Sequence, residues 1–570
     1  MIEDVYEPLA RYRDEFREKF AQLTREKFAD LVAASGVDVE ANRRQCREIA
    51  GLETKLSGAK TRRTIFGVLM VLGYVAAAIG GWLAFQAHSA DRPETSVPLL
   101  VAVVGLALAV WMTRLFSRTG KTVRELEVKV RAAVAVAWNQ MAPLNALYTW
   151  DITTRLIEAT VPRLQFDPFF AAERLADLRR LYGWDDSFND GRSILFAQSG
   201  VINGNPFLFG EYREMNWETQ TYTGSLEISW QEMEEDAEGR PHLVTRHETL
   251  TASVEKPVPA YSSDKVLIYG NDAAPSLSFS RKPSGFTGGG FLAAIRKRRR
   301  LGELRDFSRN LDDDSNFTLM ANEEFETWFN AKNRDNEVEF RLLFTALAQT
   351  QLLALMKDQA VGYGDDFAFA KERRINVLQS EHLRRAPIDT APERFRDWNC
   401  DRAEKTFQEF NEKYFKDVYF ALAPLLAIPL YQQTRTHADI WRGIVDADAS
   451  SFGEHEATAN YIGAERFRHP DAVTENILKA RTVSRDGGVS RVAVTAHAFR
   501  GVQRVDYESV HGGDGRWHEV PVEWTEYLPV ERTSEMIVTE SATPRADFQT
   551  NFDASPAAVF RRSLRAYLPK

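Results

Sequence analysis

The chain has 570 residues, 44% of them hydrophobic and 27% charged, a composition typical of a folded protein with several structural units. Its net charge of −9 argues against a nucleic-acid-binding surface spread over the molecule, and its two cysteines, Cys46 and Cys400, argue against a disulfide scaffold or a cysteine-rich metal site. A mean hydropathy of −0.36 excludes a protein that crosses the membrane many times, but one or two spans remain compatible with it.

Residues 1–60 are predicted to form a helical segment on the cytoplasmic side. Tyr12 and Phe16 belong to a set of aromatic and apolar residues that recur every three or four positions, the period of one helix face. A break is expected at Gly36, followed by a second helix over about 37–57.

Two apolar runs follow, and they are the most informative feature of the sequence. Residues 64–85 carry no charge, and residues 97–116 carry only Arg114 near their end. As helices, both runs are long enough to cross a hydrocarbon core of about 30 Å. They predict a transmembrane hairpin, because two adjacent runs of this length are rare in soluble domains.

The charges around this hairpin predict its orientation. The connection 88–96 contains one base, whereas the outer flanks contain eight: Lys55, Lys60, Arg62, Arg63, Arg114, Arg118, Lys121 and Arg124. The positive-inside rule therefore predicts an integral membrane protein, in the plasma (inner) membrane, with both termini in the cytoplasm.

Small residues at four-residue spacing occur in both predicted spans. They are Ala76, Ala77, Gly80, Gly81, Gly105 and Ala109. Small side chains allow helix backbones to approach closely in lipid. These residues are the candidates for packing, either within one hairpin or between subunits of a homo-oligomer.

The rest of the chain predicts an α+β fold with two antiparallel β-rich regions. A helical stalk is expected over 117–190, a β-rich domain over 191–285 and a helical region over 286–435. A second α+β domain is expected over 436–570, where the strands are joined by glycine-rich turns. Whether the two β-rich regions are a duplication stays open.

A run of five bases follows a glycine loop near residue 290. The run consists of Arg296, Lys297, Arg298, Arg299 and Arg300. On a protein held at a membrane, such a run is a candidate for contact with anionic lipid. The alternative is a solvated charge run or a partner for the acids at 312–314.

No motif points to catalysis, and no catalytic, cofactor-binding or metal-binding residue is predicted. The letters GKT at 120–122 lack the first glycine of a phosphate loop, and no serine lies in a nucleophile elbow. The histidines lack metal-ligand spacing, and Cys400 is expected to be buried and inert. The acid pairs, including Asp365 with Asp366, are expected in solvated loops.

The sequence favours a non-enzymatic function. The leading hypothesis is a membrane-anchored cytoplasmic scaffold or assembly protein that binds protein partners or copies of itself, without a cofactor and without nucleic acid. One alternative is a two-span effector that oligomerises to permeabilise or remodel the bilayer. A third is an enzyme whose site leaves no linear motif.

Overall fold

The structure is a computed structural model that describes residues 6–89, 96–235, 241–286, 291–309, 317–434, 449–540, 558–561 and 564–569. It confirms the α+β prediction, with two long apolar helices near the N-terminus and antiparallel sheets in the rest of the chain. The acidic run at 312–314 and most of the connection between the spans lie outside the described residues.

The chain divides into two compact units. The helical unit comprises Thr24–Tyr148 and Pro392–Phe410, and the sheet unit comprises Met1–Leu23, Thr149–Ala391 and Asn411–Lys570. The described α-helices are α1 (Pro8–Arg11), α2 (Arg17–Ser35), α3 (Val39–Ser89), α4 (Ser96–Asn145), α5 (Ile152–Thr160), α6 (Ala172–Tyr182), α7 (Phe291–Arg309), α8 (Glu323–Phe329), α9 (Glu337–Leu343), α10 (Ala346–Lys357), α11 (Glu381–Arg385), α12 (Cys400–Leu426), α13 (Pro429–Gln433) and α14 (Phe452–Gly463).

The first helices differ from the prediction in one respect. Helix α2 ends at Ser35 and Gly36 adopts a φ of +65°, as expected for a break. The next helix, however, does not end near residue 57. Helix α3 continues without interruption from Val39 to Ser89, because no proline or β-forming run separates its polar first half from the first apolar span.

The described strands form two antiparallel sheets. They are β1 (Leu164–Phe166), β2 (Arg192–Ile202), β3 (Asn205–Glu235), β4 (Pro241–Gly270), β5 (Ser278–Arg281), β6 (Phe367–Glu372), β7 (Ile375–Ser380), β8 (Ile477–Asp486), β9 (Val489–His511), β10 (Trp517–Glu540), β11 (Ala558–Arg561) and β12 (Leu564–Tyr567). The first sheet has the order β1-β2-β3-β4-β7-β6-β5, and the second has the order β11-β12-β10-β9-β8.

The first sheet draws strands from distant parts of the chain. Strands β6 and β7 come from the segment between α10 and α11, and they complete the sheet that β2, β3 and β4 begin. One face packs on α6 through Leu175 and Leu178, and it buries Leu208 and Ile268. Burial of this apolar face, at about 25 cal/mol per Å², is the main stabilising contribution.

The second sheet packs on α14. Val492, Val494 and Val538 point to one face of the sheet and are fully buried beside Ala459 and Ile462. The two sheets differ in strand number and order, so the structure offers no simple repeat of one domain.

Candidate functional site

The two apolar helices approach closely at three glycines. A Cβ atom placed on Gly80 would lie 2.8 Å from the backbone nitrogen of Ala102, and one on Gly105 would lie 2.8 Å from that of Ala77. Gly73 has the same relation to Ala109, at 3.0 Å. Such distances exclude any side chain, so glycine permits this packing.

The structure separates the six small residues into two groups. Ala77, Gly80, Gly105 and Ala109 lie where the two helices meet, and Ala76 lies at the edge of that contact. Gly81, in contrast, lies on the outward face, where a Cβ atom would have no neighbour within 4 Å. The hairpin therefore closes on itself through most of these residues.

The contact between α3 and α4 follows one periodic seam along nearly their full length. Its members are buried or half-buried and recur at alternating steps of three and four, which is the heptad repeat of a left-handed coiled coil. On α3 they are Asn42, Gln45, Ile49, Leu52, Leu56, Ala59, Arg63, Phe66, Met70, Gly73, Ala77, Gly80 and Ala84, and on α4 they are Ala102, Gly105, Ala109, Met112, Phe116, Thr119, Val123, Leu126, Val130, Ala133, Ala137, Gln140 and Leu144.

Outside this seam, the apolar part of the hairpin exposes large hydrophobic side chains on every side. Examples are Val71, Ile79, Trp82, Leu100 and Trp111. In water such a surface is unfavourable, whereas in a bilayer it faces lipid. Both helices are long and apolar enough to cross a membrane.

The basic run lies at the start of α7, and the helix divides it between two faces. Lys297 lies over the Trp328 ring, with its ammonium 4.4 Å from the ring centre, and Arg300 lies 4.6 Å from the centre of the Phe286 ring. Arg296 and Arg298 are exposed. Arg299 is exposed as well, although it pairs with Glu303 one turn away.

A serine and a histidine are in contact beneath the second sheet. The Ser450 hydroxyl lies 2.7 Å from Nε2 of His455 and donates its proton to Glu540, while Nδ1 of His455 lies 3.3 Å from the Thr482 hydroxyl. Because Ser450 donates to Glu540, His455 must donate from Nε2 and cannot act as the base that activates this serine. Burial lowers the pKa of His455 to about 4, so the ring is neutral and structural.

A second polar network surrounds the loop between α10 and β6. His382 stacks on Tyr363 with ring centres 4.1 Å apart and contacts the Asp366 carboxylate at 2.6 Å, and the Tyr363 hydroxyl donates to Asp417. The solvated loop predicted for Asp365 and Asp366 is wrong. Asp365 is fully buried, because it pairs with Arg281 at 2.6 Å and accepts a bond from the Ser284 amide.

Lys371 is a buried amine on β6. It is 2% exposed, and its ammonium donates to the carbonyl of Arg373. Burial lowers its pKa to about 7, because the low-dielectric interior disfavours the charged form. Its ammonium lies 5.7 Å from the centre of the Tyr431 ring, whose hydroxyl donates to Asn376.

Lys371→Met is expected to stabilise the protein near neutral pH and to flatten its pH dependence. The unfolded chain binds a proton on Lys371 up to about pH 10.5, whereas the folded chain releases it near pH 7. The stability of the wild type therefore rises with pH across this window and is lowest, relative to the variant, at pH 7 and below. Thermal unfolding of both proteins between pH 6 and 10 checks this; parallel curves would contradict it.

The most prominent part of the sheet unit is a two-layer arm. Residues 216–235 of β3 and 241–260 of β4 pair only with each other among the described residues. Likewise, residues 498–511 of β9 pair only with β10, and residues 517–536 of β10 pair only with β9. We call residues 216–235, 241–260 and 498–536 the β arm. At about 3.3 Å per residue, its longer ribbon extends roughly 65 Å.

The two ribbons of the β arm stack face to face. Leu250 and Val254 of one ribbon are buried, as are Val520 and Val522 of the other. At Gly224 the backbones approach so closely that a Cβ atom would lie 1.9 Å from the carbonyl oxygen of Pro521. This contact gives the arm an apolar interior, which an isolated two-stranded ribbon lacks.

The β arm carries the net charge of the chain. Its described residues include fifteen acids and six bases, a net charge of −9, which equals that of the whole sequence. Among these charges stand exposed apolar side chains: Met233, Leu243, Val505, Tyr507 and Trp517. Prolines on β4 and β10, including Pro259 and Pro529, are typical of strand edges and prevent further strands from pairing there.

Sequence reasoning missed the β arm and the seam for different reasons. The heptad steps are visible in the sequence, so the seam was detectable. The stacking of the two ribbons joins segments more than 250 residues apart, and the sequence carries no signal for that contact.

Among the described residues, no group of three or more His, Cys, Asp and Glu side chains is arranged to hold a metal ion. Comparison of the chain with protein-family models, with curated proteins and with solved structures finds no match. A functional assignment must therefore come from the geometry of the hairpin, the β arm and the basic helix.

Proposed function

We propose that this chain is a membrane-anchored scaffold, in which the α3–α4 hairpin lies in the bilayer and the β arm binds a protein partner with a basic surface. The observation that carries the proposal is the β arm itself. It concentrates the negative charge of the molecule, and it exposes aromatic side chains such as Tyr507 and Trp517. Exposed aromatic residues surrounded by charge are typical of protein-binding surfaces.

Three features favour binding through side chains rather than chemistry or strand addition. The buried Ser450–His455 pair lacks the proton arrangement of a nucleophile and its base. The prolines of β4 and β10 oppose the addition of another strand at those two edges of the arm. The excess of acidic over basic side chains on the arm attracts a basic partner, and this attraction raises the rate of association at low salt.

Photocrosslinking in intact membranes tests this proposal. A benzoylphenylalanine at Tyr507, on the arm, should give a discrete adduct with one protein, and the adduct should weaken as salt is raised. The matched control is the same residue at Tyr461, which is partly exposed on α14 outside the arm. An absence of adducts at Tyr507, or identical adducts at both positions, would contradict the proposal.

The orientation belongs to the proposal as well. The eight flanking bases support an orientation with both termini and the β arm in the cytoplasm, and we propose the plasma (inner) membrane as the location. A cysteine at Ser89, in the connection between the spans, should react with an impermeant thiol reagent added to intact cells, and a cysteine at Ser509 on the arm should not. Labelling of the arm from outside would reverse the assignment.

We also propose that the basic start of α7 contacts anionic lipid, with Arg296, Arg298 and Arg299 on the exposed face. Each base at an anionic surface contributes about 1 kcal/mol. In the full chain in nanodiscs, amide exchange in α7 should be slower with anionic than with neutral lipid. Changing these three arginines to Gln should remove the difference. The matched control changes Lys297 and Arg300, which contact aromatic rings, to Gln, and it should reduce the difference in amide exchange by a smaller amount.

A further inference from the structure

A pocket lies on the α6-facing side of the first sheet. It encloses a cavity of about 50 Å³, several times the space of about 10–15 Å³ that one water needs. Its floor is the row Ala197, Gly210 and Val266, which are cross-strand neighbours on β2, β3 and β4. Larger side chains, among them Leu208 and Tyr212, stand on either side of this row.

The missing side chain of Gly210 creates the pocket. A Cβ atom on Gly210 would lie 3.6 Å from Cγ1 of Val266, which is an ordinary contact, so nothing in the fold requires glycine here. A glycine inside a strand weakens it, and an apolar void forfeits packing energy. Gly210 thus combines a weakened strand with an unfilled apolar space, although protein interiors are otherwise closely packed.

The polar side chains Asn189 and Tyr212 of the lining already have partners within the protein. Nδ2 of Asn189 donates to Glu456, and the Tyr212 hydroxyl accepts a bond from Gln379. Glu211 follows Gly210 in the strand, so its side chain points to the opposite face, where it lies 3.9 Å from Lys265. The lining therefore offers a ligand aromatic and aliphatic contacts and no unpaired charge.

The mouth of the pocket is formed by half-buried aromatic residues. Trp184 and Phe188, which follow α6, have ring centres 5.2 Å apart, and Phe452 begins α14. The Arg192 guanidinium lies 4.5 Å from the centre of the Phe188 ring, and the Arg179 guanidinium lies 5.7 Å from that of Phe452. Because these rings are only half-buried, they border the solvent side of the pocket.

We infer that this pocket is a binding site for a small, uncharged, apolar ligand, of the size of one aromatic ring or a short alkyl group. The inference is independent of the proposed scaffold function. It rests on the space left by Gly210, the satisfied polar lining and the aromatic mouth.

Fluorobenzene is a suitable probe, observed by ¹⁹F NMR with the full chain in nanodiscs and with empty nanodiscs as the reference for partition into lipid. The wild type should give a saturable bound signal, which toluene displaces if the site prefers a ring and 1-hexanol displaces if it prefers a chain. Absence of any saturable signal above empty nanodiscs would overturn the inference.

Two substitutions of Gly210 test whether the bound fluorobenzene lies in this pocket. Gly210→Leu should fill the cavity and abolish the bound signal, whereas Gly210→Ala should retain it, since its methyl group fits without displacing Val266. If Gly210→Leu fails to unfold cooperatively, Ala197→Val narrows the same floor and takes its place. A bound signal that survives in the folded filling variant would overturn the inference.

Discussion

Gly80→Leu is expected to force the two apolar helices α3 and α4 apart, whereas Gly81→Leu, one residue further along, is expected to leave them in place. A side chain at Gly80 would collide with the backbone of Ala102, and backbone atoms cannot rotate away as a side chain can. A side chain at Gly81 meets open space in the hairpin. The two changes add the same atoms to the same helix, so any difference between them reports the packing of the hairpin.

Spin labels on the outward residues Val71 and Val110 measure this separation in nanodiscs. The distance distribution should lengthen by about 2–4 Å in Gly80→Leu, toward the spacing of 8–10 Å usual for helices with larger contact residues. It should not change in Gly81→Leu. Equal distances in the wild type and Gly80→Leu would show that the glycine seam does not close the hairpin.

Arg334→Met is expected to cause the largest loss of stability in the sheet unit. The Arg334 guanidinium is fully buried, donates twice to Glu326 at 2.9 and 3.0 Å, and donates to Glu337 at 2.6 Å. It also lies between the rings of Phe317 and Phe340, about 4 Å from each centre. Its removal leaves Glu326 buried without a countercharge, which typically costs about 3–5 kcal/mol.

Arg305→Met is the matched control. Arg305 pairs with Glu323 at 2.7 Å, but both side chains are well exposed, and solvent and salt screen an exposed pair so that it adds little to stability. Thermal unfolding of the full chain should therefore show a large decrease in Tm for Arg334→Met and almost none for Arg305→Met. Adding Glu326→Gln to Arg334→Met should recover part of the loss. Similar transitions for the two single variants would contradict this account of the network.

The apolar helical hairpin could be predicted from sequence because its signal is local. An uncharged run such as 64–85 has only one stable environment, and its length alone fixes the element. The extent of the helices was underestimated for a related reason. Hydropathy marks the lipid-facing part, whereas the seam residues outside it, such as Leu56 and Val123, are marked only by their spacing.

The buried polar groups could not be predicted, because their partners are distant in sequence. From the sequence, Asp365 resembles a solvated loop acid. Only the fold brings Arg281, which lies more than eighty residues earlier, into contact with it. In the sequence, Gly210 likewise resembles any other strand glycine. Its position at the floor of a pocket depends on its cross-strand neighbours and on the helix that covers them. The acidic character of the β arm is present in the sequence, but only the fold brings its two ribbons together.

The most direct test of the scaffold proposal is the mass and composition of the particle extracted into nanodiscs, measured by native mass spectrometry. The wild type should carry a second protein in fixed stoichiometry. A variant in which the acids Glu508, Glu519, Glu523 and Glu526 of the β arm are changed to Gln should lose that protein and still keep its hairpin in the nanodisc. A wild type that is recovered only as a single chain, or only as a homomeric ring, would contradict the proposal, and the ring would favour the membrane effector instead.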